Sequence, residues 1–257
     1  GVFEIGMDKK GEIDNLSKIV KPEIAIITNI SSAHFKNFNS LKDIAKAKSE
    51  IIDNTLSGGT VVLNKDDRFF NFLLKKVKQK KLKVISFSCK KKADISLKKI
   101  IKIKKIYKLK ILVKNKVFHF YIKRYTDSIV TNILACISVL FILNLDLSYI
   151  KKKFINFLIP KGRGDISRIR KFKKVFNLID ESYNANPLSM KIAIKNMQYY
   201  KRKQNSKKIA LLGDMLELGS KSNNLHKELA TSVNKSDIDK VFVYGKYIKK
   251  TFNLLSQ

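Results

Sequence analysis

Apolar and polar positions change period several times along the chain, and each change marks an element. Residues 23–30, "EIAIITNI", form a short and nearly continuous apolar run rich in branched residues. That is the mark of a strand covered on both faces in a parallel sheet. "VFEIG" (2–6) reads the same way. Over 40–52, "SLKDIAKAKSEII", the period lengthens: Leu41, Ile44, Ala45, Lys48 and Ile51/Ile52 share one helical face, with Ser40 placed to cap its start. Four β-type runs follow between 82 and 123, namely "KVISFS", "DISLKKI", "YKLKILV" and "VFHFYIK", separated by turn-like breaks. The longest apolar run, "ILACISVLFIL" (133–143), lies between Asn132 and Asn144. It falls short of the ~20 residues that span a bilayer, so it predicts a buried core helix over 129–143 and no membrane insertion.

Pro and Gly gather at "IPKGRGD" (159–165), which predicts a domain boundary, with one domain over 1–160 and a second over 161–257. The second part has a simpler rhythm. "KVFNLID" (174–180) reads as a strand, "PLSMKIAIKNMQYY" (187–200) as a helix with Pro187 in its first turn, and "KKIALLG" (207–213) as a strand. "KSNNLHKELATSV" (221–233) is then a helix and "DKVFVYG" (239–245) a strand. The fold class is therefore α/β: a mostly parallel sheet with helices and a β-rich section, followed by a Rossmann-like α/β part. Sites in such sheets lie outside the carboxyl ends of the strands. The polar loops "DESYNAN" (180–186) and "GDMLELG" (213–219) both emerge at such ends.

Composition points elsewhere. Lys+Arg 54 against Asp+Glu 21 gives 54 − 21 = +33, a balance that raises nucleic acid or an anionic surface as partners. The lysines are spread from end to end, however, and Lys, Ile, Asn and Phe are enriched while Trp is absent. Those are residues of A/T-rich codons, so base bias expressed on solvated faces is the favoured source of the charge, with no specific nucleic-acid partner. A basic nucleic-acid-binding protein stays as the rival reading. Cys89 and Cys136 have no metal-ligand spacing, which fits a reduced cytoplasmic protein. The chain opens inside a strand-like run and stops inside a helix-like one, so an internal piece of a longer protein is expected.

Four blocks carry a family resemblance: "EIGMDKKGEI" (4–13), "TNISSAHFKNFNSLKDIAKAKSEI" (28–51), "DESYNANPLSM" (180–190) and "LLGDMLELGSKSNNLH" (211–226). In that order they resemble the Mur ligases, while residues 65–125 match only in β-rich character. The resemblance implies most of a central ATPase domain and the first part of a C-terminal Rossmann-like domain, in an ATP- and magnesium-dependent cytoplasmic enzyme, with a monomer expected. It implies an amide-bond ligase that phosphorylates a carboxylate with ATP, the amine then attacking the acyl phosphate. "YNANP" followed by "GDMLELG" favours the branch that adds D-alanyl-D-alanine to a UDP-N-acetylmuramoyl-tripeptide over folylpolyglutamate synthetase, the alternative within the fold. The G-x-x-x-x-G-K-[ST] phosphate loop is absent from the 257 residues, and the resemblance places it ahead of residue 1.

The same resemblance assigns roles. Glu4, at the end of "VFEI", and His34, in the loop after "AIITNI", match metal-contacting positions. Lys48 matches a lysine that carbon dioxide converts to a carbamate, adding a carboxylate for magnesium. The alternative is a lysine with its stem along the core and its head in water. Asn29, Asn132, Arg163, Asp180 and Glu181 match the ATP site, although the His-Asn pair expected upstream of Asn132 is Ser128-Ile129 here, which leaves Asn132 open as a helix-start residue. Ser182, Tyr183, Asn184 and Asn186 match the pocket for the dipeptide, where neutral donors and acceptors surround a zwitterion without cancelling its charge. Asn186-Pro187 also reads as a helix cap and first turn. Asp214 and Glu217 are candidate pocket or hinge acids.

Overall fold

The apolar runs assemble by parallel and antiparallel pairing into a mixed sheet, in a computed structural model that describes residues 1–31, 35–157, 159–171, 173–202 and 206–256. Two units are distinguished, residues 1–31 with 40–157 and residues 32–39 with 158–257. In the first, strands β1 (Ile24–Ile27), β2 (Thr60–Asn64) and β3 (Lys83–Ser88) run parallel. Strand β4 (Ile95–Ile103) adds in parallel to β3, then turns back through β5 (Ile106–Val113) and β6 (Lys116–Ile122) as an antiparallel meander. The change of direction explains the change of pattern. The β2 strand is buried at four successive positions, whereas β5 alternates Leu109, Ile111 and Val113 inward against exposed Lys110.

Helices α1 (Glu12–Val20), α2 (Leu41–Lys48), α3 (Glu50–Asp53), α4 (Phe70–Gln79) and α5 (Asp127–Ile142) complete this unit. The α5 helix contacts β2, β3 and β4, and its Ile133, Leu134 and Ile137 join Val62, Phe87, Leu109 and Phe120 in the core. No helix among the described residues is long and apolar enough to cross a membrane. The single helix expected over 40–52 is two. Ser40 caps α2 by accepting from Asp43 N–H at 3.2 Å, but Ser49 Oγ donates to Lys46 O at 2.7 Å and the chain restarts as α3. That back-bonding is how a serine competes with a helical backbone. Glu50 then accepts from Gly11 N–H and Asp14 N–H at the start of α1, placing a carboxylate at a helix N-terminus.

Residues 2–6 are a correction: they form no strand, and Val2, Phe3 and Glu4 are exposed. Five apolar-leaning residues specify a strand only when a neighbour takes up their backbone groups, and among the described residues β1 pairs with β2 alone.

Asp94 pins the entry to β4. It accepts from Ser86 N–H at 2.8 Å, from Ser86 Oγ at 2.6 Å, and from Lys114 Nζ. Burial raises its carboxyl, but Lys114 and Ser86 outweigh burial and hold it below the ordinary value. A depressed carboxylate contributes stability that is present above its unfolded pKa and lost as pH falls through the folded one. Asp94→Asn should therefore cost about 1–3 kcal/mol at pH 7 and less at pH 3, below the ordinary carboxylate value. Urea unfolding at both pH values checks this, and equal costs at the two would contradict the assignment.

The second unit contains helices α6 (Pro187–Asn196), α7 (Ser222–Asn234) and α8 (Ile248–Phe252) with two small sheets. Strands β9 (Ile209–Gly213) and β10 (Lys240–Tyr244) are parallel, with α7 between them in sequence, as the Rossmann-like rhythm predicts. The run 174–180 differs from expectation. As β8 (Lys174–Asp180) it pairs antiparallel with β7 (Asp165–Lys171). The β7 sequence "DISRIRK" is too polar to register as a strand, so the hairpin was not legible. Leu212, Met215, Leu218, Leu229, Val233 and Ile248 form this unit's core.

Candidate active-site elements

Lys48 ends α2, on the face the helical spacing assigned to it. Ile44, Ala45 and Ala47 are buried, Lys48 is half-buried, and Lys46 is exposed. Its Nζ donates to Asn29 O at 3.0 Å, just past the carboxyl end of β1, so these two candidates are brought together. Burial pushes the Lys48 amine below the ordinary lysine value, and the charge of Asp67 acts in the opposite sense. Sequence reasoning missed Asp67, whose Oδ2 accepts from Ile30 N–H at 2.6 Å and fixes the same strand end. Asn64 Nδ2 donates to Thr28 O at 3.0 Å beside it. The signal was available in "LNKDDRF", a polar loop following the apolar run of β2.

Glu4 is exposed, and His34 lies outside the described residues. No three His, Cys, Asp or Glu side chains among the described residues converge as a metal cluster. Asn132 is a second correction. Thr126 caps α5, accepting from Ile129 N–H at 3.2 Å, so Asn132 is an exposed residue of the second helical turn and not a helix start.

The second unit interlocks two candidate segments. The β7–β8 register sets Asp165 opposite Asp180, so the turn before β7 meets the loop after β8. Gly164 N–H donates to Asp180 O at 2.6 Å, and Tyr183 N–H donates to Gly162 O at 3.0 Å. Gly162 N–H also donates to Asp165 Oδ1 at 2.7 Å. The Arg163 guanidinium stacks over the Tyr183 ring at 4.1 Å from its centre. Both glycines are required: Gly162 and Gly164 have φ of 75° and 91°, and a Cβ would stand 2.9 Å from Tyr183 N or 2.8 Å from Glu181 Oε1. Arg163, Asp180, Glu181 and Tyr183 thus form one surface.

Within that surface, Asp180 Oδ1 accepts from Ser182 N–H at 2.9 Å, and the hydrogen bonds from Ser182 hold its carboxyl below the ordinary value. Glu181, Ser182, Tyr183 and Asn184 are exposed. Asn186 is committed to structure: its Oδ1 accepts from Leu188 and Ser189 N–H groups at 3.1 and 2.9 Å, and Ser189 Oγ accepts from Asn186 N–H. This capping box leaves only the Asn186 amide nitrogen to meet a ligand.

The loop 213–219 is organised by a residue whose local pattern suggests no role. His226 is fully buried; its Nε2 accepts from Met215 N–H at 2.9 Å, and its Nδ1 lies 2.7 Å from Ser222 O. That pairing makes Nε2 the acceptor and turns Nδ1 toward a carbonyl. Asp214 accepts from the N–H groups of Lys246, Tyr247 and Ile248 at 2.9, 2.9 and 2.7 Å. It ties β9 to the segment entering α8 and is a structural acid. Glu217 O accepts from Lys36 N–H at 2.8 Å, so the stretch following residue 34 packs with this unit.

The same segments align with known proteins. Residues 1–140 match the Mur ligase middle domain family, and residues 167–253 match the family described as Mur ligase, glutamate ligase domain. A UDP-N-acetylmuramoyl-tripeptide--D-alanyl-D-alanine ligase from Rickettsia prowazekii is 32% identical over 255 residues, covering 99% of this chain and 55% of the relative. The ligase of the same name from Bacillus subtilis is 30% identical, covering 95% and 51%. Among solved structures, MurF from Acinetobacter baumannii superimposes with a TM-score of 0.86 at 28% identity, covering 99% of this chain and 53% of that one. The chain thus spans about half the length of the relatives it matches. With both family matches in chain order and the first covering more than half of it, this chain belongs to the Mur ligase family.

Proposed function

We propose that the protein of which this chain is a part joins D-alanyl-D-alanine to a UDP-N-acetylmuramoyl-tripeptide at the expense of ATP, in peptidoglycan precursor synthesis in the cytoplasm. The observation that carries the reading is the Lys48 environment, in a chain aligned over 99% of its length with a ligase of that name. A half-buried amine with a lowered pKa has a larger neutral fraction, and the neutral amine is the form that adds carbon dioxide and loses a proton to become a carbamate. Asn29 O orients Nζ, and Asp67 holds the strand end on which that oxygen sits.

Magnesium, with Glu4, His34 and the Lys48 carbamate as its ligands, would supply positive charge to the phosphoryl oxygens. Every remaining task falls to side chains. Arg163, held flat on Tyr183, presents a planar cation to phosphate oxygens. Asp180 and Glu181, on the same surface, are assigned to the nucleotide. Ser182, Tyr183 and Asn184 offer neutral hydrogen-bonding groups to the dipeptide, with the Asn186 amide nitrogen completing the set. Asn132, on the exposed face of α5, is assigned to the nucleotide.

The protein extended to the length of its relatives should form amide product from D-alanyl-D-alanine, and none above background from L-alanyl-L-alanine. Phosphate release coupled to product detection by mass reads this directly. Equal use of glutamate as the amine would replace the proposal with a folate-type activity.

A further inference from the structure

Acid-free basic stretches lie on both sides of Asp94, and residues 68–93 hold 9 lysines and 1 arginine. Residues 95–126 hold 10 lysines and 1 arginine with no acidic residue, while Asp94 and Asp127 stand just outside. Only Lys114 of this set is engaged by Asp94. The stretch is the β4–β5–β6 meander, whose inner face carries Leu109, Ile111, Phe120 and Ile122 into the core. The strand register places Lys99, Lys110 and His119 in one row across the other face, and Ile101, Lys108 and Tyr121 in the next. Tyr121 N–H donates to Lys151 O at 3.0 Å, which brings the run Lys151, Lys152, Lys153 alongside the β6 edge. Partial burial and the charges of Lys108, Lys110 and Lys151 push His119 down, as expected on a surface of strongly positive potential.

The β4–β5 hairpin tip adds a second feature. Ile101 and Ile103 are 38% and 39% exposed there, and Lys102, Lys104 and Lys105 beside them are also exposed. Branched aliphatic residues among lysines suit a lipid headgroup layer: the ammonium heads meet phosphates while the apolar groups enter the acyl boundary. Single-stranded nucleic acid would call for exposed stacking aromatics. Here Tyr107, Phe118 and Tyr121 are half-buried, Phe120 is buried, and Arg124 is the one arginine of the stretch. We propose that the outer face and tip of this meander dock on a bilayer surface containing anionic phospholipid.

The test is co-sedimentation of the chain with phosphatidylcholine vesicles, with and without phosphatidylglycerol, across a salt series. Binding should be confined to the anionic vesicles and weaken as salt rises. Lys102→Glu/Lys104→Glu/Lys105→Glu should reduce it by about a hundredfold, at about fivefold per lysine removed from the surface. A control of equal charge change elsewhere in the same unit, Lys75→Glu/Lys78→Glu/Lys83→Glu, should retain most of the binding. Circular dichroism establishes that each variant is folded. Should the tip triple misfold, Ile101→Ser/Ile103→Ser gives the second reading: it should lower the binding that survives high salt. The proposal is overturned by equal binding to neutral vesicles, by an equal loss in the control triple, or by no response to the isoleucine changes. Duplex DNA that binds tightly through the same tip lysines, while vesicles do not, would assign the surface to nucleic acid instead.

Discussion

Lys48→Ala, in the protein extended to the length of its relatives, is expected to lower turnover by about a thousandfold, the scale of removing one preorganised electrostatic group from a reacting phosphoryl or acyl centre. Stability should change little. The variant loses one hydrogen bond, Nζ to Asn29 O, worth about 1 kcal/mol, and is relieved of a partly desolvated amine. Lys46→Ala is the matched control: Lys46 is exposed, and its partner Asp43 is 3.8 Å away on the same helix, so near-normal turnover is expected. Formate or acetate should restore part of the Lys48→Ala rate by supplying a carboxylate to the vacated position. A readout independent of turnover is available in the chain itself. With 13C-labelled bicarbonate, a carbamate carbon signal should appear in the wild type and be missing from Lys48→Ala. Equal turnover of the two variants in bicarbonate buffer, or a carbamate signal that survives Lys48→Ala, would remove the metal-site assignment built on this helix.

Gly162→Ala carries the second large effect. Its φ of 75° lies in the left-handed region, which costs about 1–2 kcal/mol for a residue with a Cβ. The added carbon would also stand 2.9 Å from Tyr183 N, a backbone atom that cannot swing aside. The loop carrying Ser182, Tyr183 and Asn184 must then shift. Gly58→Ala separates the two causes, because Gly58 has the same φ of 75° with nothing within 4 Å of its Cβ. Gly162→Ala should lose about 1–3 kcal/mol more than Gly58→Ala. It should also raise KM for D-alanyl-D-alanine by tenfold or more in the extended protein, while Gly58→Ala leaves KM unchanged. Gly164→Ala should fall between them, since its Cβ would meet Glu181 Oε1, the end of a rotatable side chain, at 2.8 Å. Identical stability and KM for Gly162→Ala and Gly58→Ala would show that the interlock does not position the dipeptide loop.

The sequence by itself determined the elements whose signal is local. The Ser40 cap, the apolar face of α2 with Lys48 in register, the four runs from β3 to β6, and the Asn186-Pro187 start of α6 all follow from neighbouring residues. Each depends on side-chain period or on a cap within three residues of its target. The family blocks were legible for a related reason, since loops that meet ligands keep their chemistry in short contiguous stretches.

Tertiary structure decided whatever depends on partners distant in the chain. Residues 2–6 are as apolar as a strand, yet no strand among the described residues pairs with them. The run 174–180 is a strand whose partner, 165–171, carries too few apolar positions to be read, so its antiparallel pairing emerged only from the register. Asp67 and His226 look like ordinary polar residues in sequence; their roles come from Ile30 N–H, 37 positions away, and Met215 N–H, 11 positions away. Asp214 looked like a site acid and is instead consumed by three backbone N–H groups more than 30 residues downstream. A side chain's period is set by its own segment, but its hydrogen-bond partners and its desolvation are set by whatever the fold packs against it. That is why the lowered pKa of Lys48 needed the structure, although its helix face did not.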